Sequence, residues 1–122
     1  MQYGTTRFFA CIVVSQMGIA TAGAHAFLDH AVPSVGGTIS ISPQEVRLSF
    51  SERVEPAFSG VELSTAEGQP ITTPAATIDP GDNAQLIVHM PPLAPGRYKV
   101  RWHVVSADTH RIQGDYVFEI KP

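Results

Sequence analysis

Tyr98-Lys99-Val100-Arg101-Trp102-His103-Val104 decides the fold of this chain. Apolar and polar side chains alternate strictly along it. A period of two puts one set of side chains on a buried face and the other toward solvent, which is a β-strand in a half-buried sheet. Tyr98, Val100, Trp102 and Val104 then belong to the core, and Lys99, Arg101 and His103 face outward. Tyr98 follows Pro95-Gly96 and reads as a structural anchor at the start of the strand.

The same pattern recurs on both sides. Tyr116, Phe118 and Ile120 alternate with Val117, Glu119 and Lys121. Leu86, Val88 and Met90 alternate with Gln85, Ile87 and His89; Val46, Leu48 and Phe50 with Glu45, Arg47 and Ser49; Val61 and Leu63 with Glu62 and Ser64. Turn signals separate the runs: Pro33 with Gly36-Gly37, Ser42-Pro43, Glu67-Gly68, Asp79-Pro80-Gly81-Asp82-Asn83, and Pro91-Pro92 through Pro95-Gly96. One short helix-like piece lies around Glu52 to Ala57. Thr72 to Thr77 reads as a small-residue loop or edge strand. Several short strands at this spacing predict an all-β domain, a small Greek-key β-barrel or β-sandwich, immunoglobulin-like or cupredoxin-like in appearance.

The first residues have a different composition. Arg7 supplies a positive charge, Phe8 to Ala20 is mostly apolar, and Ala22-Gly23-Ala24 offers small residues for cleavage. This reads as a secretory signal peptide over residues 1–24. The apolar run is shorter than the ~20 residues of a comfortable membrane span, although a retained anchor helix is the alternative. Cys11 has too little apolar sequence before it to read as a lipoprotein cysteine. The mature domain is then residues 25–122, enough for one core and not for two.

The composition excludes several functions. Cys11 is the sole cysteine, so the mature domain has neither disulfide nor thiolate chemistry, although an oxidising compartment would permit disulfides. The formal charge is −3 for the whole chain, and losing Arg7 makes it more negative. No cluster of Lys or Arg offers a nucleic-acid footprint. There is no Gly-x-Ser-x-Gly elbow, no phosphate-binding glycine loop and no pairing of carboxylates.

What chemistry remains is metal binding. Cleavage after Ala24 would expose a free α-amine on His25. Such a histidine chelates through its amine nitrogen and its Nδ1. Downstream lies Asp108-Thr109-His110. In an extended loop, residues i and i+2 point the same way, so Asp108 and His110 could offer a carboxylate and an imidazole to one ion. Asp-x-His alone is a weak signal, common by chance. With His25 it completes a tetragonal set of nitrogen and oxygen donors, the geometry that Cu(II) prefers. The other histidines have plainer readings. His89 and His103 lie at solvent-facing parity. His30, beside Asp29, is a surface residue or a weak auxiliary ligand.

Several motifs resemble the CopC copper-resistance family. They are His25-Ala26-Phe27-Leu28 with Pro33, Leu48-Ser49-Phe50-Ser51-Glu52, Phe58-Ser59-Gly60-Val61-Glu62-Leu63, Leu93-Ala94-Pro95-Gly96-Arg97-Tyr98, the run Trp102 to His110, and Gly114-Asp115-Tyr116-Val117-Phe118. The resemblance covers nearly the whole domain and is most distinctive in Val-Val-Ser-Ala-Asp-x-His. It implies a periplasmic Greek-key barrel that binds one Cu(II) ion through His25, Asp108 and His110. It also implies a glutamate near the metal, Glu52, as a supporting group rather than a ligand. A further implication is an inner-membrane copper transporter of the CopD type as partner. Two departures stand out. Arg111 sits where the family often has proline. Met90 is the single methionine after the leader, too few soft thioethers for the additional Cu(I) site of some members, so a Cu(II)-only form is expected.

A full set of protein ligands suits holding copper for resistance or homeostasis, not enzymatic turnover. Two alternatives remain at this stage. One is a copper-dependent oxygenase built on the N-terminal histidine chelate, against which the carboxylate of Asp108 argues because it favours the oxidised ion. The other is a metal-free immunoglobulin-like interaction module with incidental histidines.

Overall fold

A computed structural model describes residues 28–122. The expected leader over 1–24 and His25 lie outside the described residues. Nine strands run in the order β1 (Leu28–Val32), β2 (Thr38–Ile39), β3 (Glu45–Phe50), β4 (Gly60–Thr65), β5 (Pro70–Ile71), β6 (Thr77–Asp79), β7 (Asp82–His89), β8 (Gly96–Val105) and β9 (Arg111–Ile120). They form a four-stranded sheet ordered β1-β3-β7-β6 and a five-stranded sheet ordered β2-β9-β8-β4-β5. The expected all-β, two-sheet architecture is what the chain adopts.

The five alternating runs become β3, β4, β7, β8 and β9. Their apolar faces meet between the sheets: Val46, Leu48 and Phe50 from one side, Val100, Trp102, Val104 and Phe118 from the other, all buried. Phe50 and Trp102 join the sheets edge to face, with ring centroids 5.4 Å apart and planes at 68°. Tyr98 stacks on its cross-strand partner Phe118 with centroids 5.7 Å apart, and its hydroxyl donates to the Ala94 carbonyl. That bond is the anchor expected of Tyr98 after the Pro-Gly turn. Burial pushes the Tyr116 phenol well above its ordinary pKa.

Thr72–Thr77 is, as expected, a loop that runs into an edge strand: its last residue begins β6. Two local expectations are corrected. The helix-like piece at Glu52–Ala57 is a single 3-10 turn further along, Pro56–Phe58, because residues 53–55 are bonded to β7, β8 and the loop after β8. Ile87, at solvent-facing parity, is buried. It lies in register between Arg47 on β3 and Thr77 on β6. Arg47 spans that outer face, donating to Glu45, to Asp79 Oδ2 at 3.0 Å and to Gln85 Oε1 at 2.8 Å. A long side chain laid across the sheet covers apolar surface with its stem.

The strand directions collect several chain ends at one pole. β8 pairs with β9 without interruption from Gly96↔Ile120 to Val105↔Arg111, so its hairpin loop, residues 106–110, sits there. β1 is antiparallel to β3 with Leu28 opposite Phe50, so the chain enters β1 where β3 ends. Residues after β3 then cross to the hairpin. The Val54 N–H donates to the Asn83 carbonyl (3.2 Å), the Glu55 N–H to Val105 (2.8 Å), and the Ala107 N–H to Arg53 (2.9 Å). This crossing ties both sheets to the base of one loop.

Candidate metal centre

The loop is built around Ser106. It continues the core parity of Trp102 and Val104, and it is fully buried. Its backbone bridges to Val54. Its N–H donates to the His110 carbonyl at 2.9 Å, and its carbonyl accepts the Thr109 N–H at 2.8 Å. The chain therefore reverses within four residues. Thr109 completes the reversal with φ of 71°, a left-handed conformation uncommon for a β-branched residue.

That reversal, not an extended loop, brings Asp108 and His110 together. His110 Nδ1 lies 3.1 Å from Asp108 Oδ1. The two side chains remain open to solvent, 52% exposed for Asp108 and 76% for His110. The Ser106 hydroxyl donates to the same Oδ1 and accepts the His110 backbone N–H at 3.2 Å. The Ser106 hydrogen bond, assisted by His110, holds the Asp108 carboxyl below the usual carboxylate range despite some desolvation. Asp108 is thus an anionic oxygen donor at neutral pH. Donors about 2.0–2.1 Å from a common ion and at right angles stand about 2.9 Å apart, so Asp108 Oδ1 and His110 Nδ1, 3.1 Å apart, are spaced to face one metal.

The sequence-expected donors divide into two groups. Asp108 and His110 are brought together. His25 lies outside the described residues. Glu52 is exposed and sits one residue before Arg53, whose carbonyl holds the Ala107 N–H. Among the described residues no group of three or more His, Cys, Asp or Glu side chains is placed for a metal ion. His30, His89 and His103 are all exposed, the last two as their parity predicts. His103 lies against Gly60, where a Cβ would come within 2.7 Å of its Cε1. Met90 packs against the core. Beside the loop is an open cleft of about 870 Å³ lined by Phe58, His103, Thr109, Arg111 and Ile112 among others, but not by Asp108 or His110. The paired donors thus lie outside the cleft.

Ser106 has no role in the sequence-level reading. The signal that could have found it is its parity. A hydroxyl at the next core-facing position after Tyr98, Val100, Trp102 and Val104, just past the end of β8, must find a partner, and Asp108 and His110 follow at successive even offsets.

The family model of the CopC domain matches residues 28–121. The chain is 37% identical over 116 residues to a protein called YobA from Escherichia coli strain K12, covering 94% of each chain. It is 37% identical over 113 residues to copper resistance protein C from Escherichia coli, covering 86% of this chain and 89% of that one. Its fold matches the crystal structure of CopC from Methylosinus trichosporium OB3b with a TM-score of 0.75 and 34% identity, over 80% of this chain and 95% of that one.

Proposed function

This chain belongs to the CopC family of copper-binding and copper-resistance proteins, and from that premise we propose that it holds one Cu(II) ion in the periplasm through His25, Asp108 and His110. The observation that carries the reading is the exposed Asp108–His110 pair, 3.1 Å apart, on a loop tied into both sheets. A carboxylate oxygen and an imidazole nitrogen are the hard and borderline donors that suit Cu(II). The chain enters β1 at the pole where this loop sits, with Leu28 opposite Phe50. His25 precedes Leu28 by three residues, and three extended residues span up to about 10 Å. Its amine and Nδ1 would complete a planar set of three nitrogens and one oxygen. Glu52, on the crossing segment, would support the site without ligating.

The role that fits is capture and delivery of Cu(II). Anionic and imidazole donors stabilise the oxidised ion, and the single methionine after the leader, packed against the core, offers no second, soft site. Export by the leader over 1–24 would put the protein in the periplasm. An inner-membrane transporter of the CopD type would receive the ion. Among the described residues no helix is long and apolar enough to cross a membrane.

The test is a Cu(II) titration of the protein beginning at His25, beside a form with one extra glycine before it, each followed by electron paramagnetic resonance. The native form should bind one tight tetragonal Cu(II), and the extended form should lose most of that affinity. Equal binding by both forms would remove the amine from the ligand set. Absence of Cu(II) binding by either form would return the domain to the reading of a metal-free interaction module.

A further inference from the structure

We propose that Ser106 is the positioning residue of the copper loop: its buried hydroxyl fixes the Asp108 carboxylate and the His110 backbone so that the metal meets a donor pair already in place. The inference rests on the reading of Asp108 and His110 as ligands and adds what holds them. Three observations support it.

First, Ser106 is the one buried aliphatic polar side chain among the described residues. A hydroxyl out of water must be satisfied within the protein, and its bonds there are not in competition with solvent. Second, it bonds both donor residues at once, donating its proton to Asp108 Oδ1 and accepting the His110 N–H at 3.2 Å. Third, Ser106 is itself immobilised. Its N–H and carbonyl are taken by His110 and Thr109, and its backbone bridges to Val54 on the crossing segment. What is bonded to its hydroxyl is referenced to the frame of both sheets.

Asp108 and His110 need this because both are exposed. Exposed side chains on a hairpin loop would otherwise sample several rotamers, and the metal would have to order them on binding. Fixing them on folding removes that part of the cost of capture. The groups that orient metal ligands commonly matter to affinity on the order of tenfold or more.

The experiment compares the unsubstituted protein, Ser106→Ala and His110→Ala, each beginning at His25. In the metal-free unsubstituted protein, the His110 amide should exchange slowly with solvent deuterium. In Ser106→Ala that protection should fall to the level of an open loop, while the amides of Val104 and Phe118 stay protected. Ser106→Ala should still bind one Cu(II) but about tenfold more weakly, with a broadened paramagnetic resonance spectrum from several donor arrangements. Rapid exchange of the His110 amide in the unsubstituted protein would overturn the proposal, whether or not the alanine variant folds. So would a Ser106→Ala protein with unchanged copper affinity and spectrum beside a weakened His110→Ala. If His110→Ala itself binds copper unchanged, the ligand reading falls, and the proposal with it.

Discussion

Replacing Gly114 with alanine puts a methyl group into the wall of the core. Gly114 pairs with Trp102 across β8 and β9. A Cβ there would lie 2.7 Å from Trp102 Cζ2, 3.1 Å from Cε2 and 3.3 Å from Cη2, where ordinary carbon contacts begin near about 3.5 Å. The indole has little room to retreat, because Trp102 is fully buried and Phe50 stands edge-on to it at 5.4 Å. Either the ring tilts off its rotamer or β9 moves out. Overpacking of this kind costs ~1–3 kcal/mol, against a gain of ~0.5–1 kcal/mol from removing a flexible glycine from a strand. Taken at their midpoints, the two leave a net loss of ~1.25 kcal/mol. At roughly 4–8 °C per kcal/mol for a domain of this size, the midpoint should fall by about 5–10 °C. The chain has a single tryptophan, so fluorescence reports on this residue directly. Thermal unfolding of the copper-free protein, followed by fluorescence and far-ultraviolet circular dichroism, measures the shift. A midpoint within about 2 °C of the parent, or above it, would refute the argument that the indole excludes a side chain at position 114.

Three other outcomes are expected. The Gly81 N–H and then the Arg47 guanidinium hold the Asp79 carboxyl below its usual range. Its contribution to stability is therefore complete above the unfolded carboxylate value of about 3.9 and is lost as pH falls through the lower folded value. Asp79→Asn should be less stable than the parent near neutrality, with the gap closing below about pH 4, as read from urea midpoints across pH. Cu(II) at a free concentration about 100 times its Kd should stabilise the folded protein by ~2.7 kcal/mol, seen as a raised Tm in calorimetry, and His110→Ala should lose most of that rise. Met90→Leu should leave Cu(II) stoichiometry and affinity unchanged by titration and cost less than ~1.5 kcal/mol in stability, as a volume-conserving exchange.

Strands were legible in this sequence where they are long and one-sided. β8 reads as an alternation of intermediate or exposed residues with buried ones from Arg97 to Val105, and the sequence shows the same alternation over Tyr98 to Val104. β2 and β5 have two residues each, too few to show a period. β2 is held by backbone bonds: Gly36 and Glu119 N–H donate to Val117 and Gly37 carbonyls, and Lys121 to Ile39. These bonds leave no trace in side-chain type. β1 has a single buried position in five because it is an edge strand. Ile87 fails the parity rule for a different reason. Its cross-strand neighbour is Arg47, a residue that any hydropathy scale counts as solvent-facing but whose guanidinium is held across the sheet by Asp79 and Gln85.

At the candidate metal centre the donor types were legible and their geometry was not. Asp108 and His110 stand two apart, and an extended loop would point them the same way. The chain instead turns tightly through Thr109 at positive φ, and Asp108 meets His110 through one carboxylate oxygen. The difference has a physical origin. A ten-pair antiparallel register, Gly96↔Ile120 through Val105↔Arg111, fixes both ends of the five-residue connection, so the loop must close on itself. Closing it leaves backbone groups that need partners, and the Arg53 carbonyl and the Ser106 hydroxyl supply them. Residues 53–55 carry no motif of their own. Their part is set by which strand ends they must join, a property of topology rather than of local sequence. A substitution that loosens the Val54–Ser106 bridge should therefore disturb the donor pair without touching it, because the loop takes its shape from the crossing segment beneath it.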